Sequence, residues 1–254
     1  MSKSINNVKS TIIIIIFTLG SKLLGFLREV LIASKFGSGV ETDTFFIALT
    51  ATGLVSELIR NSISTTFIPI ISEIERNKGK KGKIEHTSNI VNIIIMISIK
   101  FVILGLLLAP LIVKILAKGF QGEQFELAVK LTRIGMPMII FSGVIGVITG
   151  YLHSEHKFTS SSAIGLPFNL VYIFYLLVLS SKFGIIGLTV AAVLAVLSQL
   201  LIQIPEAMKA GYKYKIIIDY NNEKTKKLLY LSLPVLVGVA INDINTIVDK
   251  TLAS

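Results

Sequence analysis

The sequence has no cysteine and no tryptophan, and only 16% of its 254 residues are charged. Without cysteine there can be no disulfide, thiolate metal site or thiol nucleophile. Without tryptophan, any aromatic belt at a membrane surface must be drawn from the seven Tyr and fourteen Phe. Soluble domains carry roughly 25% charged residues, so this deficit excludes a soluble enzyme and a disordered tail. What fills the space is apolar: 52% of the residues are hydrophobic, and the mean hydropathy is +0.76. Acidic residues are also scarce, with 15 Asp and Glu against 25 Lys and Arg. In a soluble chain that excess would suggest nucleic acid. Here most of it lies in short connections between long apolar runs, which points to membrane anchoring and to no nucleic-acid partner.

A spanning helix needs about 20 mostly apolar residues, and the sequence supplies such a segment repeatedly. The pattern predicts an all-α, polytopic transmembrane helix bundle of about seven spans, near 9–35, 43–72, 87–117, 127–152, 160–180, 184–204 and 228–253. Short loops rich in Gly, Lys, Ser or Asn separate them. The longest polar stretches are Ser72–Thr87 and Glu206–Lys227. The first span opens like a signal peptide, but it lacks a small-residue cleavage site and its apolar pattern resumes at Leu23, so it reads as a retained helix.

Basic residues in alternate connections set the topology. Lys3, Lys9, Arg76, Lys78, Lys80, Lys81, Lys83, Lys157, Lys209, Lys213, Lys215, Lys224, Lys226 and Lys227 fall on one side; Lys35, Lys114, Lys118 and Lys182 fall on the other. Fourteen against four predicts a cytoplasmic N-terminus.

Charges inside the spans are more informative, because hydrocarbon penalises them unless they face a cavity or a partner. The first span reads SKLLGFLRE, with Lys22, Arg28 and Glu29 in a helix interrupted by Gly20 and Gly25. Lys22 and Glu29, seven apart, share a face, and the glycines would let the helix bend so that all three charges meet one cavity. The competing reading is a snorkelling Lys22 with an Arg28–Glu29 group at the opposite interface. The second span carries Asp43 at its outer end, then Glu57 and Arg60, which are three apart and placed to neutralise each other. Lys100 and Arg133 read as snorkelling or register anchors. In the seventh span Asn242, Asn245 and Asp249 sit at i, i+3 and i+7, forming one polar stripe suited to an ion, to water or to interhelical hydrogen bonds. The chain stops four residues after Lys250, inside that helix, which suggests part of a longer protein. His153-Ser154-Glu155-His156 has two His but no third ligand nearby, so it reads as a solvated loop. No phosphate-binding loop, zinc-protease helix or nucleophile elbow occurs, and the sequence implies no cofactor, no metal and no enzyme.

The segment SKLLGFLREVLIASKFGSGVETDTFFIA resembles the opening of the lipid II flippases of the MurJ/MviN family. Their pattern is roughly S-R-x-L-G-x-x-R followed by Asp or Glu, then F-G-x-G-x-x-T-D-x-F-F. The segment STTFIPIISE is similar to the end of their second helix, and PVLVGVAINDINTIVDKTLAS to their seventh. The resemblance implies the N-terminal half of a two-lobe, MATE-like transporter of the multidrug/oligosaccharidyl-lipid/polysaccharide exporter superfamily. Its two lobes would rock about a central cationic cavity and carry a lipid-linked diphosphate oligosaccharide from the inner to the outer leaflet of the cytoplasmic membrane.

On that resemblance Arg28 and Glu29 occupy the family's Arg-acid pair, Lys22 takes the place of its first arginine, and Asp43 matches the T-D-x-F-F aspartate. The family often has an arginine before an A-E-G segment in its second helix; here the aligned stretch is GLVSELIRNSIS, and Arg60, about one turn further along, is the candidate substitute. Lys22 and Arg28 would bind the diphosphate, while Glu29 and Asp43 would set conformation through ion pairs. The implied organisation is a six-helix lobe over 1–204, a basic cytoplasmic linker over 205–227, and the first helix of a second lobe over 228–254. The implied partners are the lipid-linked substrate, membrane lipids, an ion gradient and the missing C-terminal lobe. The alternatives are another exporter of the superfamily, such as a drug/cation antiporter with an acidic cavity or a polysaccharide-lipid flippase, and an inactive half-transporter or membrane scaffold.

Overall fold

The computed structural model describes residues 2–232 together with 234, 235 and 238, and contains no strand among them. Helix α1 spans Ser2–Phe36, α2 Val40–Leu116, α3 Gly122–Gly135, α4 Met138–Ser154, α5 Thr159–Ala163, α6 Gly165–Phe174 and α7 Ser180–Lys209, with a π-helical turn over Tyr175–Leu179. A further helix, α8, starts at 223. Four stretches are long and apolar enough to cross a membrane: Thr11–Phe36, Val40–Leu116, Gly122–Ser154 and Thr159–Lys209.

Four stretches hold more than four passes. At 1.5 Å per residue the 77 residues of α2 would reach about 115 Å, far beyond the hydrocarbon thickness of about 30 Å. The chain reverses at Gly79, whose φ of 65° and ψ of −172° belong to glycine, dividing α2 into a first arm (40–78) and a second arm (80–116). Gly184, at φ 55° and ψ −149°, does the same in α7, and the Tyr175 hydroxyl donates to the Gly184 carbonyl at 2.5 Å. Counting these reversals gives six passes, matching the first six segments of the hydropathy reading. The seventh lies almost wholly outside the described residues.

Ser72–Thr87 differs from the sequence reading. It is not a loop; both arms stay helical through it, and the turn is confined to Gly79. Glu, Lys and Arg are good helix formers, and their charges are used. Lys83, with its side chain only 2% exposed, bonds Glu75 at 2.7 Å and also Glu155 at the end of α4. Its ammonium lies 5.4 Å from the centre of the Tyr151 ring. One buried cation thus ties together the ends of three passes.

The first arm packs most closely on α4. Gly143, Gly146 and Gly150 make this possible: a Cβ on Gly146 would lie 2.9 Å from the Arg60 carbonyl oxygen, and one on Gly150 would lie 2.8 Å from Phe67. Small residues at such spacing let membrane helices approach closely. Around this contact Phe67, Ile70, Ile71, Ile90, Ile94, Tyr151 and Leu152 form one core; Phe45, Leu131, Tyr172, Leu176, Leu188 and Ala192 form a second. Helix α1 is peripheral, with Ile16, Leu19, Leu23 and Phe26 all exposed. It is held to α6 by Asn169, whose amide donates to the Ser21 carbonyl at 3.0 Å and the Gly165 carbonyl at 2.8 Å.

After α7 the chain crosses the end of the second arm as a non-helical segment pinned by side chains. The Asn89 amide donates to the Asp219 carbonyl and to Thr225 Oγ1, each at 3.0 Å, and the Asp219 N–H donates back to Asn89 Oδ1. Asn92 donates to the carbonyls of Lys215 and Ile217 at 3.1 and 2.9 Å. The Asn222 side chain then accepts the N–H groups of Lys224 and Thr225, capping α8. Lys224 pairs with Glu73, and Lys215 with Glu85 at 2.9 Å. These lysines hold both carboxyls below the ordinary range.

Candidate functional site

A cavity of about 400 Å³ opens between α1, the first arm, α4, α6 and α7. Its polar lining is Arg28 and Glu29 from α1, Ser56, Glu57 and Arg60 from the first arm, Ser142 from α4, Tyr172 from α6 and Gln199 from α7; Phe45, Phe46, Leu49 and Phe168 supply much of the apolar wall. Bulky apolar walls around a few convergent polar groups are the usual make-up of a ligand site.

Each arginine is held by an acid from its own helix. Arg28 Nη2 lies 2.5 Å from Glu29 Oε1, and its Nε lies 3.2 Å from the same oxygen. Arg60 Nη2 donates to both oxygens of Glu57, at 2.5 and 2.6 Å. The arginine side chains are 22% and 27% exposed, and their partners are 49% and 48% exposed. The arginine side chains are therefore the more embedded members of both pairs. Arg28 is further fixed by rings: its guanidinium carbon is 5.5 Å from the centre of Phe168 and 5.2 Å from that of Tyr172. Guanidinium–ring contacts of this kind contribute about 0.5–2 kcal/mol each. Phe168 and Tyr172 are i, i+4 neighbours on α6, so they present one aromatic face to α1. The Ser56 hydroxyl is buried on the cavity wall with no hydrogen-bond partner.

Of the residues singled out from the sequence, Arg28, Glu29 and Arg60 meet in this cavity. Lys22 is exposed on α1 and outside the lining, and Asp43 is exposed in the first turn of α2, where an acid favours the helix N-terminus. Asn242, Asn245 and Asp249 lie outside the described residues. In the tetrad at 153–156, His153 Nε2 bonds Ser161 Oγ at 3.0 Å, Glu155 is taken by Lys83, and His156 forms a turn at φ 55°. The sequence reading missed Phe168, Tyr172, Ser142 and Gln199. The aromatics carried no signal against an apolar span, but Asn169, a polar side chain within such a span, was a legible sign that this face of α6 meets another helix.

The family model for the lipid II flippase MurJ matches residues 32–254. The chain belongs to this family. A probable lipid II flippase MurJ from Buchnera aphidicola subsp. Acyrthosiphon pisum is 29% identical over 254 residues, covering 98% of this chain and 50% of the relative. The lipid II flippase MurJ of Burkholderia cenocepacia is 25% identical, covering 94% and 48%. Among solved structures, a lipid II flippase MurJ in an inward closed conformation superposes with a TM-score of 0.72 at 26% identity, over 94% of this chain and 50% of that one. A MATE in complex with MaD3S matches at a TM-score of 0.68 and 17% identity, a likeness of fold alone. The chain spans about half the length of the curated relatives it matches. The transporter family and the helix-bundle architecture inferred from the sequence thus hold.

Proposed function

We propose that this chain forms the first lobe of a flippase that carries lipid II, a lipid-linked diphosphate oligosaccharide, from the inner to the outer leaflet of the cytoplasmic membrane. The observation that carries the reading is the pair of arginines, on two different helices, lining one cavity in a chain of this family. A diphosphate offers several anionic oxygens, and the guanidinium fork matches phosphate geometry in a bidentate way. On this reading Arg28 and Arg60 exchange their carboxylate partners for phosphate oxygens. Lys22, seven residues before Glu29 on the same face of α1, supplies a further point charge, and Asp43 biases the outer end of the first arm. Glu29 and Glu57 hold the guanidinium groups in place when substrate is absent, and the transporter performs no covalent chemistry.

The fourteen-to-four distribution of basic residues favours a cytoplasmic N-terminus, which puts the Gly79 turn and the linker in the cytoplasm. Residues 1–204 are then the first lobe, 205–227 the linker and 228–254 the first helix of a second lobe. Asn242, Asn245 and Asp249 offer a polar stripe for an ion whose gradient drives the cycle. Rocking of two lobes about a shared site is the established logic of such transporters.

Lipid II export in cells depleted of their own flippase tests this reading, using the full-length protein. Arg28→Ala and Arg60→Ala should each abolish rescue at normal membrane abundance. Unchanged rescue by both would overturn it.

A further inference from the structure

The Gly79 turn and the linker enclose a small cavity of about 190 Å³ that shares no lining residue with the arginine cavity. Its walls come from the end of the first arm (Lys78), the start of the second (His86 and Asn89) and the entry to α8 (Asp219, Asn222 and Lys224). Nearly all of the lining belongs to the polar stretches Ser72–Thr87 and Glu206–Lys227, outside the apolar spans. Sites for drug-sized ligands run to about 300–1,000 Å³, so this volume suits an ion of a few heavy atoms.

His86 is the unexplained member of the lining. It is 6% exposed, and neither ring nitrogen has a hydrogen-bond partner among the described residues. The parallel ring of Phe67, 6.4 Å away, offers it no donor or acceptor. A buried nitrogen left in this way costs free energy, which a ligand that bonds it would recover. The charges of the lining favour an anion. Both of its acids are committed: Glu85 to Lys215 at 2.9 Å, and Asp219 Oδ1 to the N–H groups of Asn221 and Asn222 at 2.9 and 3.2 Å. The cations have donors to spare. Lys78 has no acidic partner among the described residues, and Lys224, paired with Glu73, keeps two further N–H donors. After burial, the charges of these two lysines are what depress the His86 pKa, so both act at the imidazole. Gly82 lets Lys78 lie close across the start of the second arm, since a Cβ there would be 2.5 Å from Lys78 Cβ. Helix α8 begins at 223, so its positive end also borders the cavity.

We propose that this cavity binds a small soluble oxyanion of the phosphate class, held by Lys78, His86 and Lys224 at the N-terminal end of α8. The neutral imidazole donates one ring N–H to an anion oxygen, and the two ammonium groups act on the others as point charges. Such an anion joins the first arm, the second arm and α8 in one contact. It therefore fastens the linker against the Gly79 turn, and the supply of soluble phosphate sets how firmly the linker is held. This inference does not depend on the identity of the transported molecule.

The test uses the full-length protein in phosphatidylcholine nanodiscs, with radiolabelled inorganic phosphate measured by equilibrium dialysis at constant ionic strength. An Arg28→Ala/Arg60→Ala background keeps the arginine cavity from contributing. Phosphate should bind saturably, sulfate should compete, and chloride should not. Lys78 is exposed, so changing it spares the packing. Lys78→Glu should weaken binding about tenfold or more, whereas Lys78→Arg, which keeps the charge, should bind within about three-fold of its parent. His86→Leu should also weaken it. Phosphate should slow amide exchange over 217–226, and Lys78→Glu should abolish that slowing. Absence of saturable binding, or binding that Lys78→Glu and His86→Leu both leave unchanged, would overturn the proposal. So would displacement of phosphate by phosphatidylglycerol added to the nanodisc or by lipid II, since the occupant would then be a lipid headgroup.

Discussion

Lys83 gives the sharpest test of how this bundle is held at its charged end. Lys83→Met keeps most of the aliphatic stem but removes a cation that serves Glu75 and Glu155 together. The two carboxyls differ in their escape routes: Glu75 is 33% exposed and can turn to water, whereas Glu155 is 18% exposed and remains beneath the Gly79 turn. Removing one partner from a buried pair costs about 3–5 kcal/mol. Since one carboxylate here can rehydrate, we expect a loss of about 2–3 kcal/mol, including the lost contact with the Tyr151 ring. Adding Glu155→Gln to Lys83→Met removes the stranded charge and should restore most of that loss. Lys215→Met is the control, because the Lys215–Glu85 pair is 42% and 39% exposed and its loss should destabilise far less. Far-UV circular dichroism through a reversible SDS titration in mixed micelles measures all of these. The reasoning is refuted if Lys83→Met unfolds within about 0.5 kcal/mol of wild type, or if Glu155→Gln makes it worse.

His86 should make stability pH-dependent. It is buried, its ring lies 6.4 Å from that of Phe67, and burial, reinforced by the charges of Lys78 and Lys224, lowers its pKa from 6.5 to about 4. The unfolded chain takes the proton first, so stability is full above pH 6.5 and falls as the pH drops towards 4. The total loss is on the order of 3 kcal/mol, and a denaturant–pH series on His86→Leu should flatten it between pH 6.5 and 4.5, before Glu73 and Glu85 titrate. Gly146→Ala should cost about 1–3 kcal/mol and impair transport, because its methyl would press on the backbone of Arg60; normal transport with normal stability would contradict the close approach. Asn92→Ala should speed amide exchange over 214–218 several-fold, leaving α4 unchanged, as read by hydrogen–deuterium exchange with mass spectrometry.

Much of the bundle was legible because spanning helices must be long, apolar and closed in their own hydrogen bonds. The glycines in the first arm's partner were visible as residues, but not their role. Which face of α4 meets the first arm depends on Phe67 and Arg60, far away in sequence. The Ser72–Thr87 stretch misled for a physical reason: its polarity marks exit from hydrocarbon, which is a different event from the end of a helix. Only Gly79 carries the backbone geometry that breaks it. In the site, Arg28, Glu29 and Arg60 stood out because charge in an apolar span demands an explanation. Phe168 and Tyr172 did not, since an aromatic in such a span looks the same whether it faces lipid or a guanidinium.

The family resemblance leads to an expectation of a cationic cavity, yet this lobe lines it with two arginines and two glutamates. The physical account is that an arginine cannot wait uncompensated in a dehydrated site, so on the proposed function a partner must occupy it while no substrate is bound. An acid one or three residues away on the same helix can do this without linking helices that have to move. The partners are also arranged for exchange. Glu29 and Glu57 are about half exposed, while the arginine side chains are more embedded, Arg28 against two rings. On the proposed reading an incoming diphosphate replaces one oxygen anion with another of similar geometry, and the displaced carboxylate swings to water. Entry and release then differ by small free energies, which suits a carrier, since it must let its cargo go on the far side.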